Sequence, residues 1–306
     1  MPKTQPFYSV NEEKKPAANR VYHDNSACPP GRDIPFSERR VGTNNRMLLQ
    51  LWHVGRISHP YFLDGALPVA PSAIAAEGHV RQMSKTEPYP VPRALTLAEI
   101  PGIIEAYRKG ALNAQEAGFD AVEIHGANGY LLDQFLQDGS NKRTDQYGGS
   151  IENRARLMLE VTDAVVSVWG AGRVGMHLAP RGDAQSMGDS NPAATFGYVA
   201  RELGKCKIAF ICAREHLGEG RIGPQLKKAF GGVYIANEGF TKETAEQVLA
   251  AGEADAVVFG KLFLANPDLP ERFRLNAPLN APRPDTFYGQ GREGYTDYPY
   301  LTTQAA

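Results

Sequence analysis

From Leu48 onward, short apolar runs alternate with longer segments of helical period, and that alternation leaves few folds open to the chain. Successive βα units build a parallel sheet whose strands are buried and whose helices cover it. Strands are predicted over residues 47–53, 121–125, 174–178, 208–212, 233–236 and 256–259, six in all. The helices between them carry readable ends. Thr96 with Glu99 three residues on forms a capping box ahead of the face Ile100, Ile103, Ile104, Tyr107 and Ala111, and this helix stops before Gly118. Thr241 opens a helix closed by Gly252, and Asn266 followed by Pro267 starts another with proline at its first position.

Two stretches depart from the alternation. Residues 55–93 contain six prolines between Pro60 and Pro92 and read as a long irregular excursion, a length that in a compact domain is usually functional or mobile. Residues 1–46 are interrupted by prolines at 2, 6, 16, 29, 30 and 35 and are expected to be mostly loop. The division expected is an irregular segment over 1–46, unrelated to the barrel, and a βα barrel domain over 47–306.

Composition narrows the partners. With 33 Lys and Arg against 34 Asp and Glu, the formal charge is -1, so no strong field draws the chain to nucleic acid or anionic lipid. No run of about 18 apolar residues suggests a membrane span. Cys28, Cys206 and Cys212 are odd in number and lack metal-ligand spacing, which suits a reducing cytoplasm and predicts no metal. The expectation is a small-molecule partner and a cytoplasmic monomer or homodimer.

The strand at 121–125 ends on His125, followed by Asn128 and Tyr130. Barrels keep their chemistry at such strand ends. Taken singly, a satisfied histidine, an Asn-Gly turn and a packed tyrosine are the plainer readings. Downstream, Asn141, Arg143, Asp145, Tyr147, Gly148, Gly149, Ser150, Asn153 and Arg154 follow in a spaced run. Arg143 and Asp145 are expected to order the loop, and Ser150 to cap the next helix.

Together these motifs resemble the active-site segment of the Old Yellow Enzyme family of FMN-dependent ene-reductases, and the similarity runs from about Met47 to Leu301. The resemblance implies a TIM (β/α)8-type barrel, here incomplete, with six recognisable βα units. A complete member has eight strands, with the Gln50 strand third, so two strands would precede Met47. Of the usual opening only Asn19, Arg20 and Val21 match, and the sheet should expose edges at the Gln50 and Phe259 strands.

The resemblance also assigns roles. His125 and Asn128 would grip a substrate carbonyl, and Tyr130 would donate the proton. Gln50 would bond the flavin pyrimidine, and His177 stands where many relatives carry arginine. A neutral imidazole there stabilises a reduced flavin less than a permanent cation does. Asn237, Gly239, Phe259, Gly260 and Lys261 would hold the FMN phosphate end, with lysine in place of the relatives' usual arginine. Glu238 must then point away from the anion. Trp52 and Tyr288 would wall the substrate pocket, and the 55–93 excursion would lie over the barrel mouth. The implied reaction uses NADPH or NADH, through FMN, to reduce an activated alkene or a nitro compound. Two other readings remain: a flavin-free relative that acts as a binding or scaffold protein, and an aldolase-like phosphate-binding barrel. The latter is disfavoured because no strand carries a lysine in an apolar setting.

Overall fold

The computed structural model of the protein describes residues 7–9, 39–41, 47–80, 87–289 and 291–301. Strands β1 (Phe7–Ser9) and β2 (Arg39–Val41) pair antiparallel, so the loop expected over 1–46 contains one ladder of three residue pairs. Asn19, Arg20, Val21 and Cys28 lie outside the described residues.

Six strands form the main sheet: β3 (Leu48–Leu51), β6 (Ala121–Gly126), β7 (Val174–Leu178), β8 (Phe210–Arg214), β9 (Val233–Asn237) and β10 (Ala256–Val257). They run parallel in the order β10-β9-β8-β7-β6-β3, each new strand beside its predecessor, as right-handed βα winding requires. All six predicted strands are present, with shifted ends. The fourth spans Phe210–Arg214 rather than 208–212, because helix α4 (Pro192–Cys206) ends on Lys207 in a left-handed turn, and only then does the chain become extended. The last is cut to Ala256–Val257. Among the described residues β3 and β10 each have one neighbour in the sheet, so both edges are open, as expected.

Period-two alternation sorts the side chains into two sets. Val122, Ile124, Val174, Met176, Ile211, Ala213, Tyr234 and Ala236 are buried in the core between sheet and helices. The alternate residues Gln50, Glu123, His125, His177 and Cys212 share the opposite, interior face. The helix-side core therefore holds the fold, and the polar interior face is left for other work.

The helices start where the side chains can cap them. Ser150 accepts from the Asn153 N–H at 3.4 Å ahead of α3 (Ile151–Trp169), and Thr241 and Thr244 cap each other ahead of α6 (Lys242–Ala250). Helix α1 (Ile100–Glu116) begins later than the sequence suggests. Glu99 does reach back to Thr96, accepting from its N–H at 2.9 Å and its hydroxyl at 2.8 Å, but residues 97–99 form a turn instead of helix. The helix predicted to open after Asn266 starts instead as α8 (Leu269–Leu275), with Pro270 in its first turn. Asn266 is buried, and its amide donates to the carbonyls of Leu262 and Asn280, a bridge that leaves it outside the helix.

The excursion after β3 is irregular, as its prolines dictate, except for one 3-10 turn (Pro60–Phe62) and two short paired strands, β4 (Val69–Ala70) and β5 (Arg93–Ala94). Arg143 ties it down: its guanidinium pairs with Asp145 at 2.5 Å and donates to the carbonyls of Pro71 at 3.0 Å and Leu95 at 2.6 Å. Among the described residues no helix is long and apolar enough to cross a membrane.

Inside the sheet, Phe210 fills the space above Gly175, where an added Cβ would lie 2.1 Å from the ring. Gly175→Ala should therefore destabilise the fold by about 1–3 kcal/mol, the usual cost of overpacking. Phe210→Leu in the same chain should recover part of the loss, as read by urea denaturation.

Candidate functional site

The interior face of β6 carries Glu123 and His125 toward the C-terminal end of the sheet, where the chain turns sharply. Asn128 and Gly129 are both left-handed, with φ of 56° and 78°, and the Tyr130 N–H closes the turn on the Ala127 carbonyl at 3.2 Å. Asparagine tolerates that region, and position 129 demands glycine twice over. A Cβ there would also sit 2.8 Å from the Ala184 carbonyl oxygen.

The turn brings three predicted residues together. The His125 ring meets Tyr130 edge-on at 5.2 Å, Trp52 stacks on His125 at 5.4 Å, and Trp52 meets Tyr130 edge-on at 4.6 Å. His125 Nδ1 accepts from the Ala127 N–H at 3.3 Å, which leaves the proton of the neutral ring on Nε2. Burial, with the neighbouring His177 adding to it, lowers the His125 pKa to about 4, so the ring is a neutral donor at pH 7. Asn128 Oδ1 accepts from Arg214 at 2.9 Å, which leaves the amide NH2 as a second donor.

Asn128, Tyr130 and Trp52 line a cavity of about 1120 Å³, above the roughly 300–1,000 Å³ usual for one small molecule. Asn237, Gly239, Phe259, Gly260, Lys261 and Tyr288 line it too, as do Glu77–Val80 and Tyr89 of the excursion, in keeping with its expected place over the mouth. Gln50, His125 and His177 are not in that lining and belong to the interior face behind it. Gln50 donates to Glu123 at 2.6 Å and approaches His177 Nδ1 at 3.4 Å. His177 stacks on His125 at 5.2 Å, and its Nε2 is buried without a hydrogen-bond partner.

The sequence profile of the NADH:flavin oxidoreductase / NADH oxidase family matches residues 42–280. The chain belongs to this family. The expected kinship with Old Yellow Enzyme holds, and so does the α/β barrel fold class. A putative 12-oxophytodienoate reductase 5 of Oryza sativa subsp. japonica is 46% identical over 267 residues, 83% of this chain and 70% of that protein. A probable flavin mononucleotide-dependent alkene reductase of Leishmania infantum is 43% identical over 261 residues, 82% of this chain and 72% of that one. The structure of morphinone reductase in complex with tetrahydroNAD superposes with a TM-score of 0.80 at 49% identity, covering 85% of this chain and 74% of that one.

In this family member the residues chosen from the sequence fall into two groups. His125, Tyr130 and Trp52 meet at the end of β6, with Asn128 in the turn between the first two, and Gln50 with His177 stands behind them on β3 and β7. Asn237, Gly239, Gly260 and Lys261 gather at the ends of β9 and β10. There Asn237 donates its amide to the Val258 carbonyl at 2.7 Å, so its side chain bridges strands more than it faces the cavity. Phe259 meets Phe273 edge-on at 5.2 Å. Tyr288 is exposed at the rim.

Several residues that hold the site were not apparent from the sequence. Arg214 both binds Asn128 and pairs with Glu238, a glutamate with φ of 96°. Glu238, expected to point away from this region, lines the cavity with Gly239 and Lys261, and its charge is matched by Arg214. Arg56 is buried and donates to the carbonyls of Ile74 at 3.1 Å and Gln185 at 3.0 Å, linking the excursion to the loop after β7. Gln134 donates to Val54 at 3.2 Å and Gly129 at 2.7 Å and accepts from the Arg56 N–H. A buried Gln in helical register reads from sequence as an ordinary surface residue, and a charged Arg in a proline-rich loop likewise.

The depressed His125 pKa has a stability consequence. Between its ordinary value of 6.5 and about 4, the unfolded chain binds a proton that the folded chain refuses, so stability falls as pH drops through that window. His125→Gln should flatten the fall in Tm between pH 6.5 and 4, a difference worth about 3 kcal/mol at the acid end.

Proposed function

We propose that the protein is an NAD(P)H-dependent, FMN-using reductase of activated C=C bonds, with enones, maleimides and nitroalkenes as the substrate class and nitro compounds as a related one. The reading rests above all on the neutral His125 ring packed against Tyr130 at the end of β6, with the Asn128 amide held by Arg214 in the turn between them.

The residues suit the cofactor. The buried, unpartnered Nε2 of His177 and the two-way amide of Gln50 offer donors and acceptors to a flavin pyrimidine. Gly239 and Gly260 let backbone approach a phosphate, and Lys261 supplies a point charge. Bound FMN would supply hydride transfer. The chain's own residues do the rest. His125 Nε2–H and the Asn128 amide donate to the carbonyl oxygen of the alkene and stabilise the negative charge that gathers there. Tyr130 gives its phenolic proton to the carbon beside that carbonyl and takes one back from solvent. Trp52 packs against both rings and keeps water from their faces.

Titrating the purified chain with FMN should give saturable binding and a yellow protein; a colourless protein without saturable binding overturns the enzyme and favours a scaffold role. In the loaded protein, Tyr130→Phe should slow alkene reduction by about 10²-fold or more while flavin reduction by NAD(P)H stays nearly unchanged. Equal loss in both half-reactions removes the proton-donor role.

Arg214 lines the same cavity and holds the Asn128 amide. Arg214→Met frees the amide to rotate, so the alkene KM should rise about tenfold, the cost of a lost charged hydrogen bond, with little change in flavin reduction. Stopped-flow traces of the two half-reactions separate these effects.

A further inference from the structure

Behind the cavity, three adjacent strands place a carboxylate, an imidazole and a thiol on one face. Glu123 lies on β6, His177 on β7 and Cys212 on β8, with His177 and Cys212 directly opposite in register. Their ligand atoms all lie within 4.8 Å of one another. Glu123 and Cys212 are not close in sequence, so no spacing motif announces the group.

The charges around it are unbalanced. The Glu123 side chain is 15% exposed, yet among the described residues the one basic group within 4.0 Å is His177, at 3.8 Å from its Nδ1. The other partner of the carboxylate is the neutral Gln50 amide at 2.6 Å. A part-buried carboxylate without a full counter-charge, next to an imidazole and a buried thiol, is a donor set that suits a borderline-soft dication.

We propose that Glu123, His177 through Nδ1, and Cys212 form a binding site for a zinc-class divalent cation. Binding displaces the thiol proton to solvent, so one thiolate and one carboxylate neutralise the two positive charges, and the imidazole completes three protein ligands. The fourth position is left for water, and Gln50 keeps its hydrogen bond to Glu123. A tetrahedral site needs ligand atoms roughly 3.3–3.6 Å apart, so the group closes by about 1 Å through side-chain rotation. Ligation at Nδ1 also fixes the ring proton on Nε2, the buried nitrogen that has no partner.

The test uses the 306-residue chain freed of metal and flavin, so it does not depend on the proposed reductase activity. Cobalt(II) titration should raise a thiolate-to-metal charge-transfer band that saturates near one equivalent and is bleached by added zinc. Cys212→Ser should abolish the band, Glu123→Gln should weaken cobalt binding at least tenfold, and Cys206→Ser should leave it intact. Far-UV circular dichroism of each variant establishes that it is folded. Absence of the band in the wild-type chain, its persistence in folded Cys212→Ser, or unchanged affinity in Glu123→Gln overturns the site.

Discussion

The turn after β6 is held by buried hydrogen bonds from the helix that follows it, and the arrangement of reactive groups depends on them. In α2 (Leu131–Leu136), Asp133 accepts from the Gly129 N–H at 2.8 Å, and Gln134 donates to the Gly129 carbonyl at 2.7 Å. One residue thus has its donor and its acceptor both satisfied by consecutive helical side chains. Two successive left-handed residues are costly for an L-amino acid at 128, and these bonds help offset that cost. Burial raises the Asp133 pKa to about 6, with bonds from Gln137 and Gly129 working the other way. The same carboxylate that fixes the turn is therefore itself poised near neutrality.

Two arginines, Arg143 part-buried and Arg56 buried, extend that order outward. Arg143 fastens the excursion by the carbonyls of Pro71 and Leu95, and Arg56 fastens it again by Ile74 to the loop after β7. Guanidinium forks suit this task because each binds several carbonyls that a proline-rich chain leaves without helix or sheet partners. The cavity wall formed by Glu77–Val80 is thereby tied to the same framework that positions Tyr130.

What was legible in the sequence follows from what is local. Strand order, caps at Ser150 and Thr241, and the Arg143–Asp145 pair each depend on periodicity or short spacing, and each appears as expected. The packing of the His125 ring on Tyr130 is local in the same way, since one strand end carries both. Contacts between strands were not. Arg214 reaches Asn128 across 86 positions, and Gln50 reaches Glu123 across 73. The start of α8 was misread because Asn266 spends its side chain on a distant carbonyl instead of a cap. The parallel pair β4–β5 was missed because two-residue strands have no period to read.

Arg214 joins the two ends of the site into one electrostatic unit. Its guanidinium holds Asn128 at the β6 end and Glu238 at the β9 end, beside Gly239 and Lys261. Glu238 sits at φ 96°, a region costly for a residue with a Cβ, so its place is set by the pairing more than by its backbone preference. The β6 and β9 ends are thus tied through a single side chain, a link that requires no movement of the sheet.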